Sequence, residues 1–513
     1  MNKRFKWLGL TLLVGAVGAF SVSLAAGDTL VIAQGVDVVT VDPQNQNQTP
    51  TSNVLLNIFD TMYRRQADGG LIPWLVTAKA VNATTWDLTV KQGVKFHNGE
   101  ELDAETIKWN FDRILDPANK IVIANTWSTV AKVDVVNPTT ARVTTKTPFP
   151  AFLTRLTGLF VMPKKYVESG NAYLQTPIGT GPYKFVKWTK DQAFEMEANS
   201  SYWGGEPKIK KVVFRPIPEA SSRVAELVSG GVDVITNLVP EAVSTVKGSN
   251  AAEVRTVPSV RNIFLILNTR EGASGGPLTN QKVRLALNYA VDKKTIVQTV
   301  LGGFGYPTGC PLNSYIFGYD KGACTPYEYN IARAKQLLTE AGYPNGFSIT
   351  LGSPNGRYLN DRQVAEAIVG QWAKIGVKAE LRVTEWSTYV GAINNRKVPT
   401  DAVLLGWGNN EFDADGTLYT LFYAGTVKGG PPPSLFGYVK LPVADQYIVQ
   451  ARTTLDSDVR KEAYAKTLKV LRAEVPWVFL HQQEDLYGVA KRVDWKPRGD
   501  ERIIVADMAL KGP

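Results

Sequence analysis

The sequence predicts an α/β protein of several domains, on three observations. Hairpin-forming alternation is denser in the first half, helix-plus-strand units are denser over 263–480, and no flexible linker divides the two. Domains without a linker are joined by several short chain crossings and do not hang as beads on a string. A length of 513 residues suits about three domains, and a composition of 44% hydrophobic and 20% charged residues is ordinary for a globular chain that buries large cores.

Taken in order, "TLVIAQ" (29–34) predicts a strand, followed by the polar loop "GVDVVTVDPQNQNQTP". Over 51–64, Val54, Leu55, Ile58 and Met62 recur on one helical face and predict a helix. "TTWDLTVKQGVKF" alternates Trp86, Leu88 and Val90 as a half-buried strand does. In "DAETIKWNFDRILDP", Asp103 is an N-cap candidate, Ile107, Phe111, Ile114 and Leu115 keep helical spacing, and Asp116-Pro117 stops the helix. "KVDVVNPTTARVTTK" predicts a hairpin turning at Asn137-Pro138, 179–199 a tight turn and two strands, and 209–218 a further strand. "EASSRVAELVSGGVDV" predicts a helix with Val224, Leu227 and Val228 inward, ended by Gly230-Gly231. "NIFLILN" (262–268) is apolar throughout, as a strand buried on both faces is. Helices are predicted at 280–292, at about 293–301 and over "YNIARAKQLLTEAGYPNG". After these, "SITLGS" and "RQVAEAIVGQWAKIGVKAELRV" read as a strand–helix–strand unit, and "SDVRKEAYAKTLKVLRAEVPWVFL" as a long helix and a strand.

The first 25 residues are of another kind. Lys3, Arg4 and Lys6 precede an apolar stretch from Leu8 to Phe20, and Ser23-Leu24-Ala25 offers small residues for cleavage, which together read as a secretory signal peptide. A retained anchor is the alternative, although the apolar stretch is short against the roughly 20 residues of a membrane span. Its removal would take three positive charges from the net +10, and the remaining charge is dispersed with no basic stripe, so no nucleic-acid partner is expected. The two cysteines, Cys310 and Cys324, would meet an oxidising compartment after export, which favours a disulfide over two buried thiols. Neither follows the leader, so no lipid-anchored N-terminal cysteine is expected.

Catalytic and metal signatures are sparse. Gly272-Ala273-Ser274-Gly275-Gly276 fits the spacing of a hydrolase nucleophile elbow, with His481 downstream. A single sharp strand-to-helix turn is required there, whereas Thr269 to Asn280, with Pro277 inside, reads as a loose loop. The only histidines are His97 and His481, too few for a zinc site of three or four ligands, and no phosphate loop or complete dinucleotide fingerprint is present. No metal, cofactor or catalytic residue is expected. Aromatic residues are plentiful instead, and Trp127, Tyr202, Trp203, Tyr358, Trp386, Trp407 and Phe412 fall in expected loops, where some suit a cleft that stacks on an organic solute.

"GTGPYKFVKW" (179–188), "WDLTVKQGVKFHNGEELDAETIKWNFDRILDP" (86–117) and "AKQLLTEAGYPNG" (334–346) together resemble the family 5 extracellular solute-binding proteins of ABC importers, which include oligopeptide-, dipeptide- and nickel-binding proteins. "NSSYWGG" (199–205), "QKVRLALNYAVDK" (281–293) and "EVPWVFL" (474–480) fall in the family order, and the resemblance spans 27–510. It implies a periplasmic-binding-protein type II-like two-lobed clamp with an additional α+β domain on the first lobe. The expected division is a signal peptide at 1–25, a discontinuous first lobe at 26–58, 179–262 and 487–513, the extra domain at 59–178, and a second lobe at 263–486. Two crossings would form the hinge, and closure would trap a solute because the closed form gains contacts the open form lacks. The partners implied are a ligand, most naturally a short peptide, and an ABC permease with its ATPase subunits. The chain itself would be a monomer in the periplasm or cell envelope.

The same resemblance nominates the site. In peptide-binding members a segment after a Gly-Trp pair supplies an aspartate for the peptide's ammonium group. Here "LGWGNNEFDADG" (405–416) keeps Gly406-Trp407, places Asn410 at the aspartate position with Glu411 beside it, and matches the family's Asp-Pro-Asp as Asp413-Ala414-Asp415. Trp407, Gly408, Asn409, Asn410, Glu411 and Asp413 are therefore candidate ligand residues. Asn410 would accept a hydrogen bond more weakly than a carboxylate does, and Asp413 and Asp415 can instead cap a helix starting near Thr417. Val36 and Asp37, in a loop like one that lines the family cleft, and Arg357, Tyr358 and Asn360, after a strand of the second lobe, complete the candidates. Two other readings stand beside the peptide: the same fold binding an oligosaccharide or chelated metal, and a secreted serine hydrolase using Ser274.

Overall fold

Two long strands, Ala252–Leu267 and Trp477–Ala490, pair antiparallel and organise the rest of the molecule. The computed structural model describes residues 27–269, 276–433 and 440–511, so the leader and Ser274 lie outside the described residues. From one edge, the main sheet runs Val377–Val383, Phe347–Ser353, Ala402–Gly408, Ala252–Leu267, Trp477–Ala490, Val234–Ile235, Thr29–Gln34, Lys211–Pro216, Ala193–Ala198 and Tyr183–Thr189. The long pair loses register between Pro258, whose nitrogen cannot serve the ladder, and Asn262, and again between Ile263 and Phe264. The apolar stretch read as a strand at 262–268 is thus the last part of a strand that begins at Ala252. Residues 263–267 are fully buried there, as a continuous apolar run requires.

The strand–helix–strand reading holds in detail: Phe347–Ser353 and Val377–Val383 pair parallel, with the helix Asp361–Ala373 between them. Asp103 caps the helix Ala104–Leu115 through the backbone N–H of Thr106 at 2.7 Å, and Ile107, Phe111 and Ile114 are buried. Two expectations are corrected. Helix forms only over Thr49–Leu55, because the backbone of Asn57 and Ile58 is taken by Tyr183 and Gly181 (2.8 Å each), which draws the chain out of helical geometry. Val228 is 38% exposed, so the helix Ala220–Ser229 buries Val224 and Leu227 without it.

A four-stranded sheet, Val76–Asn82, Thr85–Val90, Thr140–Thr145 and Val130–Asn137, packs with Ala104–Leu115 around a core of its own drawn from 62–161. Nearly all the remaining buried apolar side chains form one continuous cluster. Asp60 joins the two bodies by accepting hydrogen bonds from Trp74 Nε1, Thr180 Oγ1, Tyr202 OH and Trp203 Nε1. Tyr202 and Trp203 therefore serve this junction. Cys310 and Cys324 form a disulfide across 14 positions, a loop for which chain entropy alone suggests about 3 kcal/mol.

His481 sits in Trp477–Ala490, 1% exposed, with neither ring nitrogen hydrogen-bonded among the described residues. Burial pushes its pKa down to about 3, below the ordinary 6.5. The unfolded chain therefore takes up a proton between these values that the folded chain refuses. The group's contribution is fully present above pH 6.5 and is lost as pH falls toward 3, at up to about 1.4 kcal/mol per pH unit. His481→Leu should accordingly flatten the loss of stability between pH 6 and 4 in denaturant titrations; an unchanged slope would refute this.

Candidate functional site

Three glycine-dependent contacts shape the centre of the molecule. A side chain at Gly406 would strike Ile263 and Tyr358, at 2.6 and 2.7 Å, and one at Gly408 would strike the Arg261 guanidinium at 2.9 Å. Around this approach lies a cavity of about 210 Å3, walled by 43–56, by 122–127 and 155–160 of the four-stranded body, and by 357–394 and 405–420 from the other side. Trp127, Phe160, Tyr358, Trp386 and Trp407 supply its aromatic surface. The Trp407 indole N–H is held by Gly416 O at 3.2 Å, which leaves the ring as wall.

Four arginines reach this cavity, and their partners separate them into two pairs. Arg261 is neutralised by Glu501, with Nε to Oε1 and Nη2 to Oε2 both at 2.6 Å. Arg155 donates to Asp415 at 2.5 Å and lies 3.1 Å from Glu411. Asp415 is also held by Arg452. Burial would raise its carboxyl, but Arg452 and Arg155 keep it below the usual range. Arg357 and Arg502 have no carboxylate within ion-pair distance among the described residues. The Arg357 guanidinium, 6% exposed, rests on the Tyr358 and Trp386 rings at 4.7 and 5.1 Å, and its Nε is unbonded. Burial, then Arg261, brings its pKa down to about 10. Among the described residues the Arg502 guanidinium donates only to Thr157 O, at 3.0 Å, while its backbone N–H goes to Asp500.

On the acceptor side, Asn409 Oδ1 and Asn410 Oδ1 are buried without a hydrogen-bond donor among the described residues, Glu411 Oε2 faces Arg155 at 3.1 Å, and all three residues line the cavity. Burial raises the Glu411 carboxyl against the pull of Arg155. A cavity lined by unpaired cations and by unpaired acceptors fits a polar solute bearing both anionic and N–H groups.

Of the residues nominated from sequence, Arg357, Tyr358, Trp407, Gly408, Asn409, Asn410 and Glu411 line the cavity. The others are placed elsewhere. Asp413 takes both oxygens to Arg460 and accepts the backbone N–H of Asp415, at the start of the helix Asp415–Phe422, so it anchors the loop from behind. Asp37 accepts from Trp188 Nε1 and the Asp191 N–H near the surface. Val36 lines a separate pocket of about 30 Å3 that shares Thr49 and Arg357 with the main cavity. Asn360 is tied to Glu241 and Val300 O, and Phe412 lies under Arg65. Sequence reasoning missed Arg155, Arg261 and Arg502 and nominated Trp127 only as one loop aromatic among several.

The family described as bacterial extracellular solute-binding proteins, family 5, middle, matches residues 70–429. The glutathione-binding protein GsiB of Pectobacterium atrosepticum is 29% identical over 504 residues, 96% of each chain. Among solved structures, the periplasmic binding protein DppA of Helicobacter pylori with the peptide STSA superposes with a TM-score of 0.86. It is 24% identical, and the match covers 94% of this chain and 98% of that one. A dipeptide-binding protein of Pseudoalteromonas sp. SM9913 with Met-Leu gives 0.85 at 23% identity, over 94% and 100%. These structures show a type II periplasmic-binding-protein fold.

Proposed function

Because the chain belongs to the family 5 bacterial extracellular solute-binding proteins, we propose that it captures a short peptide between its two halves and delivers it to an ABC permease. The single observation that carries the peptide reading is the cavity wall, where unpaired Arg357 faces the same space as the unpaired acceptors of Asn409 and Asn410 and the Glu411 carboxylate. A peptide offers a carboxylate for the first and an ammonium group for the second. The aromatic rings of Trp127, Trp386 and Trp407 cover its apolar parts. Nothing in this reading breaks a covalent bond, and no relative named above is a hydrolase, so Ser274 has no place in it.

Closure follows from the contacts across the cavity. Arg65 donates to Glu411 O at 2.6 Å, Arg155 reaches Asp415, and Tyr419 OH donates to Asn125 O at 3.2 Å. Opening would break these and leave the long strands to flex where their register already slips, near 258–264. Export by the leader suits an extracellular family.

The test is a thermal-shift screen of the purified protein against pools of di- and tripeptides and of oligosaccharides, with mass spectrometry of any molecule carried through purification. Peptides should raise the melting temperature, since a ligand at 100 times its Kd stabilises by about 2.7 kcal/mol. A response confined to sugars would overturn the proposal.

A further inference from the structure

Resting on the peptide reading above, we infer that the preferred solute carries two anionic groups, one held at Arg357 and the second at Arg502. Charge around the cavity balances except at two arginines. Arg261 is matched by Glu501, and Arg155 with Arg452 is matched by Asp415 and Glu411. That leaves Arg357 and Arg502 as the two lining cations with no carboxylate within ion-pair distance among the described residues.

Arg502 is 7% exposed, so its charge is held out of bulk water. The acids beside it in sequence are both committed elsewhere: Asp500 accepts from Arg498 at 2.9 and 2.7 Å, and Glu501 from Arg261. One nitrogen of Arg502 is fixed by Thr157 O, which aims the group without neutralising it. Arg502 lines the cavity, so the N–H groups that Thr157 does not take are within reach of a solute there. Beside it, a Cβ at Gly158 would meet nothing within 4 Å, so the wall leaves room there. Near Arg357, Asp361 spends its carboxylate on the backbone N–H groups of Gly356, Arg357 and Tyr358 and leaves the guanidinium free. A buried unpaired guanidinium costs stability. Two of them facing one small space are therefore matched by a ligand with two carboxylates, or a carboxylate and another anion, and the N–H donor of that ligand goes to Asn409 and Asn410.

The experiment is isothermal titration with two nearly isosteric pairs: Ala-Glu against Ala-Gln, and γ-glutamylglycine against its C-terminal amide. In at least one pair the dicarboxylate should bind more than about tenfold tighter, the worth of one charge-assisted hydrogen-bonded contact. Arg502→Met should shrink that gap to within about threefold, the larger loss falling on the dicarboxylate. Equal binding within both pairs, or an Arg502→Met loss that falls on both members alike, would overturn the inference while leaving the peptide reading standing. If the wild-type protein binds neither pair nor any peptide of the screening pools, both readings fall. Thermal unfolding of Arg502→Met guards against misfolding, and its melting temperature should not drop.

Discussion

Replacing Asp415 with alanine is expected to lower the protein's stability by about 3–5 kcal/mol, because it removes the one carboxylate shared by two buried guanidiniums. The Asp415 side chain is 1% exposed and those of Arg155 and Arg452 are 3% and 2% exposed, so water cannot take over the lost contacts. Arg452 would keep Thr129 Oγ1 at 3.1 Å and the Tyr419 ring at 3.8 Å, and Arg155 would keep Glu411 at 3.1 Å. These partners are what keep the cost from being larger. The loss is a penalty for stranded charge and not the worth of the bridge. The triple variant Arg155→Met/Asp415→Leu/Arg452→Met should therefore recover most of the stability, as apolar replacements of buried ion clusters do. Denaturant midpoints of the single and triple variants decide the matter. A single variant within about 1 kcal/mol of wild type would mean that the cluster is hydrated and the argument fails. Because Arg155 belongs to the four-stranded body and Asp415 to the opposite wall, the single variant should also bind peptide more weakly than its stability loss alone accounts for.

The same cluster shows what sequence alone could and could not reveal. Helical spacing and the Asp103 cap located Ala104–Leu115, and the strand–helix–strand unit from 347 to 383 was readable from periodicity, since both are local. The expected helix over 51–64 ended at Leu55 because Asn57 and Ile58 bond to Tyr183 and Gly181, partners over 120 positions away that no local window contains. The site divides similarly. Arg357, Tyr358 and 407–411 were nominated because a family resemblance placed them. Arg502 was invisible because "DER" looks like a self-neutralising surface triplet, and only the fold sends Asp500 to Arg498 and Glu501 to Arg261. The acidic loop 411–415 in a chain of net charge +10 poses the reverse case. Its carboxylates look solvent-directed in sequence, yet Arg155, Arg452 and Arg460, each brought from elsewhere in the chain, take them up.

Arg357→Met should separate binding from stability by moving them in opposite directions. The guanidinium has no carboxylate within ion-pair distance among the described residues, its Nε is unbonded, and burial holds its pKa down to about 10. Its charge is therefore a cost that the empty protein bears, relieved only by the ring faces of Tyr358 and Trp386. Methionine keeps the volume and the contact with both rings while removing that cost, so the unliganded variant should be as stable as wild type or more so. Peptide affinity should fall by about 100-fold, on the order of 3 kcal/mol, the net worth of a charge-assisted contact. A residue that merely packs would lose both quantities together, and a residue on the surface would change neither. Titration of a bound peptide and a denaturant melt of the same preparation measure the two signs. A drop in stability without a drop in affinity would remove Arg357 from the site and with it the anion-holding end of the cavity.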